Sequence, residues 1–174
     1  MKLKSVLGAA CALFAGIAGA VCPVTPGRFL INGAEVTDTV TGLVWSRCSV
    51  GQTWTGTVCS GNPTLVYHDQ ALQLAQNAVG WRLPNIKELA SLVDRRCDFP
   101  AIDSVAFPNT VGGYYTYWSS TPASGENSAW LVSFSEGTFY EFKRYGPYIP
   151  VFHGGAGGDF APPSVAVLLV RANQ

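Results

Sequence analysis

The sequence predicts an α+β domain in which two helices pack on one side of a mostly antiparallel, twisted sheet. Three observations predict it. Thr- and Val-rich segments broken by turn residues come first, two stretches with apolar residues at helical spacing follow, and short β-type segments separated by Gly, Pro and Asn complete the chain. The chain has 174 residues, 48% of them hydrophobic, and no internal repeat, so one core in one domain accounts for its length.

Before the first strand, Lys2 and Lys4 form a basic region, Val6 to Ile17 an apolar run, and Ala18-Gly19-Ala20 a small-residue cleavage site. Residues 1–20 therefore read as a secretory signal peptide and residues 21–174 as a single domain, expected to be secreted, periplasmic or on the cell surface. Cys11 and Cys22 lack the Leu three positions upstream that a lipid-modification site shows. No later segment approaches the roughly 18 uninterrupted apolar residues of a spanning helix, so no membrane span is expected.

From Arg28 the chain reads "RFLINGAEVTDTVTGLVWSRC", with an Asn32-Gly33 turn signal and breaks at Asp38 and Gly42. Leu43 to Arg47 has the β-branched and aromatic content of a buried strand. In "YHDQALQLAQNAVG", Ala71, Leu72, Ala75 and Ala78 recur at helical spacing between a capping Asp69 and a stop at Gly80. A second helix starts at Asn85, whose side chain can cap it while Glu88 reaches back to the Asn85 amide; Ile86, Leu89, Leu92 and Val93 make its apolar face. Trp81 and Leu83 are expected in the core beside it. Beyond Cys97 come "YYTYWSST", "SAWLVSF", "GTFYEFKR" and "SVAVLLVRAN"; the almost continuous "VAVLLV" should lie centrally in the sheet.

Four cysteines remain after the leader, and an even count in an exported chain reads as two disulfides, with three possible pairings. Cys48 and Cys59 bracket the loop "CSVGQTWTGTVC" as a local staple, which leaves Cys22 to tie the N-terminus to Cys97. A zinc site would need closer cysteine spacing, and His68 and His153 stand apart from the cysteines. Without Lys2 and Lys4 the 11 basic residues fall to 9, against 11 acidic ones. So few and scattered positive charges leave nucleic acid without a docking surface.

In their order, "TDTVTGLVWSRCSVGQTWTGTVCSG", "WRLPNIKELASLVD", "AFPNT" with "YWSST", "AWLVSFSEG" and "LLVRA" resemble the family named after the C-terminal domain of the Legionella collagen-like adhesin. The resemblance implies a C-type-lectin-like fold, similar also to the formylglycine-generating enzymes, in which the N- and C-terminal strands pair. The chain departs from the family's short ending at Tyr145 to Pro163, which is longer and rich in Gly, Pro and aromatics. Functions peculiar to this protein are expected there.

The chemistry of the chain points away from catalysis. It has no cysteine after Cys97, whereas the formylglycine-generating relatives act through a reactive pair near the end of the fold. His68, at a helix start, reads as a capping or surface residue. His153 beside "GGAGGD" could pair with Asp159 as an acid/base couple or simply hydrogen-bond within its loop. Asp94 and Asp98 lie beside Arg95 and Arg96 as solvated ion pairs, Glu88 is used by its capping box, and Arg82 should pair with a nearby carboxylate or carbonyl beneath the sheet. For calcium, Glu126 and Asn127 offer two of the six to eight oxygens required, so no cofactor is expected.

The remaining feature is the aromatic run "FYEFKRYGPYIPVFH". Strand alternation sends Phe139 to one face and Tyr140 and Phe142 to the other. Either the second set is displayed or the following loop covers it. The expectation is a non-enzymatic adhesion or binding domain that takes a protein or glycan on a cell surface through Tyr140, Phe142, Arg144, Tyr145, Tyr148, His153 and Asp159. Self-association as a subunit or tip of a surface fibre is the structural alternative.

Overall fold

A computed structural model of the chain describes residues 25–108, 116–144 and 165–173. Residues 1–20, Cys22, Tyr145, Tyr148, His153 and Asp159 lie outside them. The first sheet contains β1 (Phe29–Asn32), β2 (Glu35–Asp38) and β3 (Leu43–Ser46), joined by the last strand of the chain, β10 (Val170–Ala172), in the antiparallel order β1-β2-β3-β10. Asn32 pairs with Glu35, so Gly33 and Ala34 form the hairpin loop, and Gly33 supplies its φ of 57° without a Cβ clash. A short hairpin of β4 (Thr53–Trp54) and β5 (Cys59–Ser60) follows, and the Cys48–Cys59 disulfide closes its base. Cys97 is also disulfide-bonded.

The second large sheet has the order β8-β7-β6-β9, from β6 (Thr116–Pro122), β7 (Ser128–Ser133), β8 (Thr138–Lys143) and β9 (Val165–Ala166). Among the described strands only the β6–β9 pair is parallel. Val165 to Val170 runs from one sheet into the other, and its side chains alternate without exception. Ala166, Leu168 and Val170 enter one core, with Trp45, Tyr117, Phe107 and Phe134, while Val165, Val167 and Leu169 enter the other, with Trp118, Leu83 and Leu131. That two-sided burial is why the run is apolar at every position. Its backbone is sewn in as well. Val165, Val167 and Leu169 carbonyls accept from the amides of Val66, Val50 and Ser46 at 2.9–3.0 Å, and Val170 and Arg82 exchange two bonds of 2.9 and 3.0 Å. The pairing of Val170 with Trp45 joins the first and last parts of the fold, as the resemblance implied.

Helices α1 (His68–Asn77) and α2 (Ile86–Ser91) do not share a side of the sheet. Ala71 and Ala75 of α1 pack with Leu131 of β7, whereas Leu89 of α2 and the adjoining Leu92 pack with its neighbour Val132. Adjacent strand residues face opposite ways, so the helices cover opposite faces and the expectation of one-sided packing is corrected. The cap of α2 forms as read: the Glu88 amide donates to Asn85 Oδ1 at 3.0 Å and the Asn85 amide to Glu88 Oε2 at 2.8 Å. Arg82 grips the same carboxylate at 2.6 and 2.8 Å, at the surface rather than beneath the sheet. Burial raises the Glu88 pKa, but these partners outweigh it and hold the carboxyl below its ordinary value. The cap of α1 differs from expectation. Tyr67 is the N-cap, its amide donating to Gln70 Oε1 at 3.0 Å, and Asp69 lies inside the first turn, where its charge suits the helix dipole.

Three buried polar groups show how the frame is closed. Asp38, fully buried, accepts from Arg28 at 3.1 Å and from the Val40 amide at 3.0 Å. Arg47 donates to the carbonyls of Gly33, Val105 and Ala106 and lies 3.9 Å over the Trp54 ring, joining the first hairpin, the second hairpin and the segment before β6. Ser49 and Tyr117 share a hydrogen bond of 3.0 Å.

Candidate functional site

Among the described strands β8 lies at the edge of its sheet, and what positions it is local. The turn into it passes through Gly137, where φ is 68° and a Cβ would come within 2.9 Å of Val93 Cγ1 and 3.1 Å of the Ala101 Cβ. Only glycine fits that approach. Six residues then pair in register with β7, from Thr138 opposite Ser133 to Lys143 opposite Ser128. At the far end, charged side chains fasten β8 to the β6–β7 loop. Glu141 accepts from Ser124 Oγ at 2.9 Å and from the Gly125 amide at 3.3 Å, and Lys143 Nζ donates to the Glu126 carbonyl at 2.7 Å. Arg144 donates from its amide to Asn127 O at 2.8 Å and from Nε to Ser128 O at 3.0 Å.

The sequence-predicted site residues divide three ways. Tyr140 is 44% exposed, and its hydroxyl accepts from Thr138 Oγ1 at 2.9 Å. Phe142 is in phase with Tyr140 but is half-buried, its ring 5.8 Å from Trp118, because α1 and Trp118 cover that end of the face and leave the Tyr140 end open. Phe139, of opposite phase, packs on the other core. Arg144 is committed to the backbone of the β6–β7 loop. The structure thus displays Tyr140 and uses Phe142 and Arg144 as anchors; the placements of Tyr145, Tyr148, His153 and Asp159 fall outside the described residues.

Sequence reasoning missed the role of His68. Its side chain is buried rather than on the surface, its Nε2 lies 3.0 Å from the Ser119 carbonyl, its ring sits edge-on to Trp118 at 5.2 Å, and its amide donates to Arg144 O at 3.1 Å. A carbonyl accepts, so Nε2 carries the proton. Desolvation lowers the His68 pKa, the Ser119 bond opposes this, nearby Arg144 lowers it further and Asp69 raises it; the net shift is downward. His68 therefore ties α1 to the start of the segment after β8. The Ser119 hydroxyl is spent on the Trp130 carbonyl at 2.8 Å, so the pair has no nucleophile-and-base geometry. Trp81 also departs from expectation: it is half-buried at the rim, under Arg171 at 5.2 Å, while Leu83 is in the core. The Asp94–Arg96 pair is the exposed ion pair expected, at 2.6 Å, and its hydrogen bonds hold the Asp94 carboxyl below its ordinary pKa.

No helix among the described residues is long and apolar enough to cross a membrane. No curated protein and no solved structure matches the chain. A family model described as the Lcl C-terminal domain matches residues 34–149, well over half of the chain and including β2 to β8. The chain belongs to the Lcl C-terminal domain family.

Proposed function

We propose that this protein is an exported, non-enzymatic adhesion domain of C-type-lectin-like fold that recognises a protein or glycan on a cell surface through the outer part of β8 and the segment after it. The single observation that carries the reading is Tyr140, an exposed aromatic on an edge strand whose two ends are locked by Gly137 and by Arg144. A rigid base with a displayed tyrosine gives contact area at small entropy cost. Family membership supports an adhesin-like role, and the pairing of β10 with β3 supports the lectin-like fold. The histidine and serine that meet in the described residues are committed to backbone partners, which favours binding over catalysis. No cofactor enters this reading.

The test is the combined variant Tyr140→Ala, Tyr145→Ala, Tyr148→Ala and His153→Ala, probed on a glycan array and by capture of surface proteins. Binding should be lost with the melting temperature nearly unchanged. Undiminished binding would remove the site. A second reading, self-association, is favoured by the edge strand β1, where Leu30 and Ile31 are 56% and 44% exposed. Light scattering that finds a monomer at high concentration removes it.

A further inference from the structure

A groove of about 340 Å³ lies between α1 and the Trp81–Asn85 segment, on a part of the surface separate from Tyr140. Its apolar lining comes from Leu72, Ala75 and Leu83, the last two belonging to the second core. Its polar lining combines Arg82, whose guanidinium is held by Glu88, with four neutral groups. The Gln76 amide, the Ser120 hydroxyl, the Trp81 indole N–H and the Asn85 Nδ2 make no hydrogen bond among the described residues, although Asn85 Oδ1 caps α2.

The charges in and beside the groove, Arg82 in its lining and Arg171 next to it, are paired with carboxylates. Arg82 is held by both oxygens of Glu88, and Arg171, which lies over the Trp81 ring, is paired with Glu35 at 2.7 Å. An anionic ligand would have to compete with those carboxylates, and a cationic one would meet two guanidinium groups. A purely aliphatic ligand would leave four hydrogen-bonding groups unanswered. The volume stands at the lower end of small-molecule sites, roughly 300–1,000 Å³.

We propose that this groove binds a small, neutral, polyhydroxylated ligand, a single uncharged sugar ring, with its apolar face on the Leu72–Ala75–Leu83 floor and its hydroxyls on Gln76, Asn85, Ser120 and Trp81. The site does not rest on the β8 reading. Saturation-transfer NMR of the intact protein with methyl glucoside, methyl galactoside and methyl mannoside should detect millimolar binding of at least one, with a shift of the Trp81 indole N–H signal. Gln76→Trp, at an exposed helix position, should fill the groove and weaken binding at least about tenfold, and Ser120→Ala should weaken it by about threefold to tenfold, the effect of one neutral hydrogen bond. Loss of glycoside binding in Tyr140→Ala with binding intact in both groove variants would place the sugar on the adhesive face and overturn the groove site. The proposal is overturned if no neutral glycoside binds, if galacturonate or glucosamine binds as well as the neutral sugars, or if both groove variants bind like the unmodified protein.

Discussion

Two strand segments of the C-terminal third, "TFYEFK" in β8 and "VAVLLV" at the close, both carry large apolar side chains and do opposite work. Every side chain of the closing run is buried, on alternate sides, and its backbone bonds to β3, to Val50, to Val66 and to Arg82. β8 bonds to β7 alone among the described strands, buries Phe139 on one face at one end and Phe142 on the other face at the opposite end, and leaves Tyr140 out. The difference shows that hydrophobicity alone does not say whether a strand is frame or surface. What decides is whether both faces and both edges find partners.

The largest effect should come from the frame. Leu168→Ala removes a fully buried side chain and should cost about 2–5 kcal/mol, whereas Tyr140→Ala should stay within about 0.5 kcal/mol of the parent; urea midpoints measure both. Equal losses would erase the distinction. A smaller effect is expected at the α2 cap, where Asn85→Ala should cost about 1 kcal/mol in the same measurement.

A pH effect sharpens the comparison at its junction, where His68 links α1 to the end of β8. Burial holds the folded pKa of His68 below its ordinary value of 6.5. Above that pH neither state binds the proton and stability is unaffected; as pH falls below it, the unfolded chain binds a proton the folded one resists, and stability declines until the lowered folded value is passed. His68→Gln should flatten this part of the stability profile. A decline of the same size in the variant would assign it to other groups.

The sequence made the local devices legible. The α2 cap needs residues three apart, the staple at Cys48 and Cys59 spans 11 positions, and the closing run advertises its two-sided burial by lacking polar residues. Features that depend on distant partners were not legible. Which side of the sheet each helix takes is set by strand order, and the burial of His68 is set by Trp118 and Ser119, some fifty residues on. The candidate site was half legible for the same reason: alternation placed Tyr140 and Phe142 on one face, but only α1 and Trp118 decide that Phe142 is covered.

Amide hydrogen exchange distinguishes the buried closing run from the displayed strand residue by residue. The amides of Leu169 and Val170, bonded to Ser46 Oγ and Arg82 O, should exchange only through global unfolding, while the outward amides around Tyr140 should exchange orders of magnitude faster. Protection at those β8 amides equal to that of the closing run would mean that β8 is covered, and would contradict its role as the displayed face.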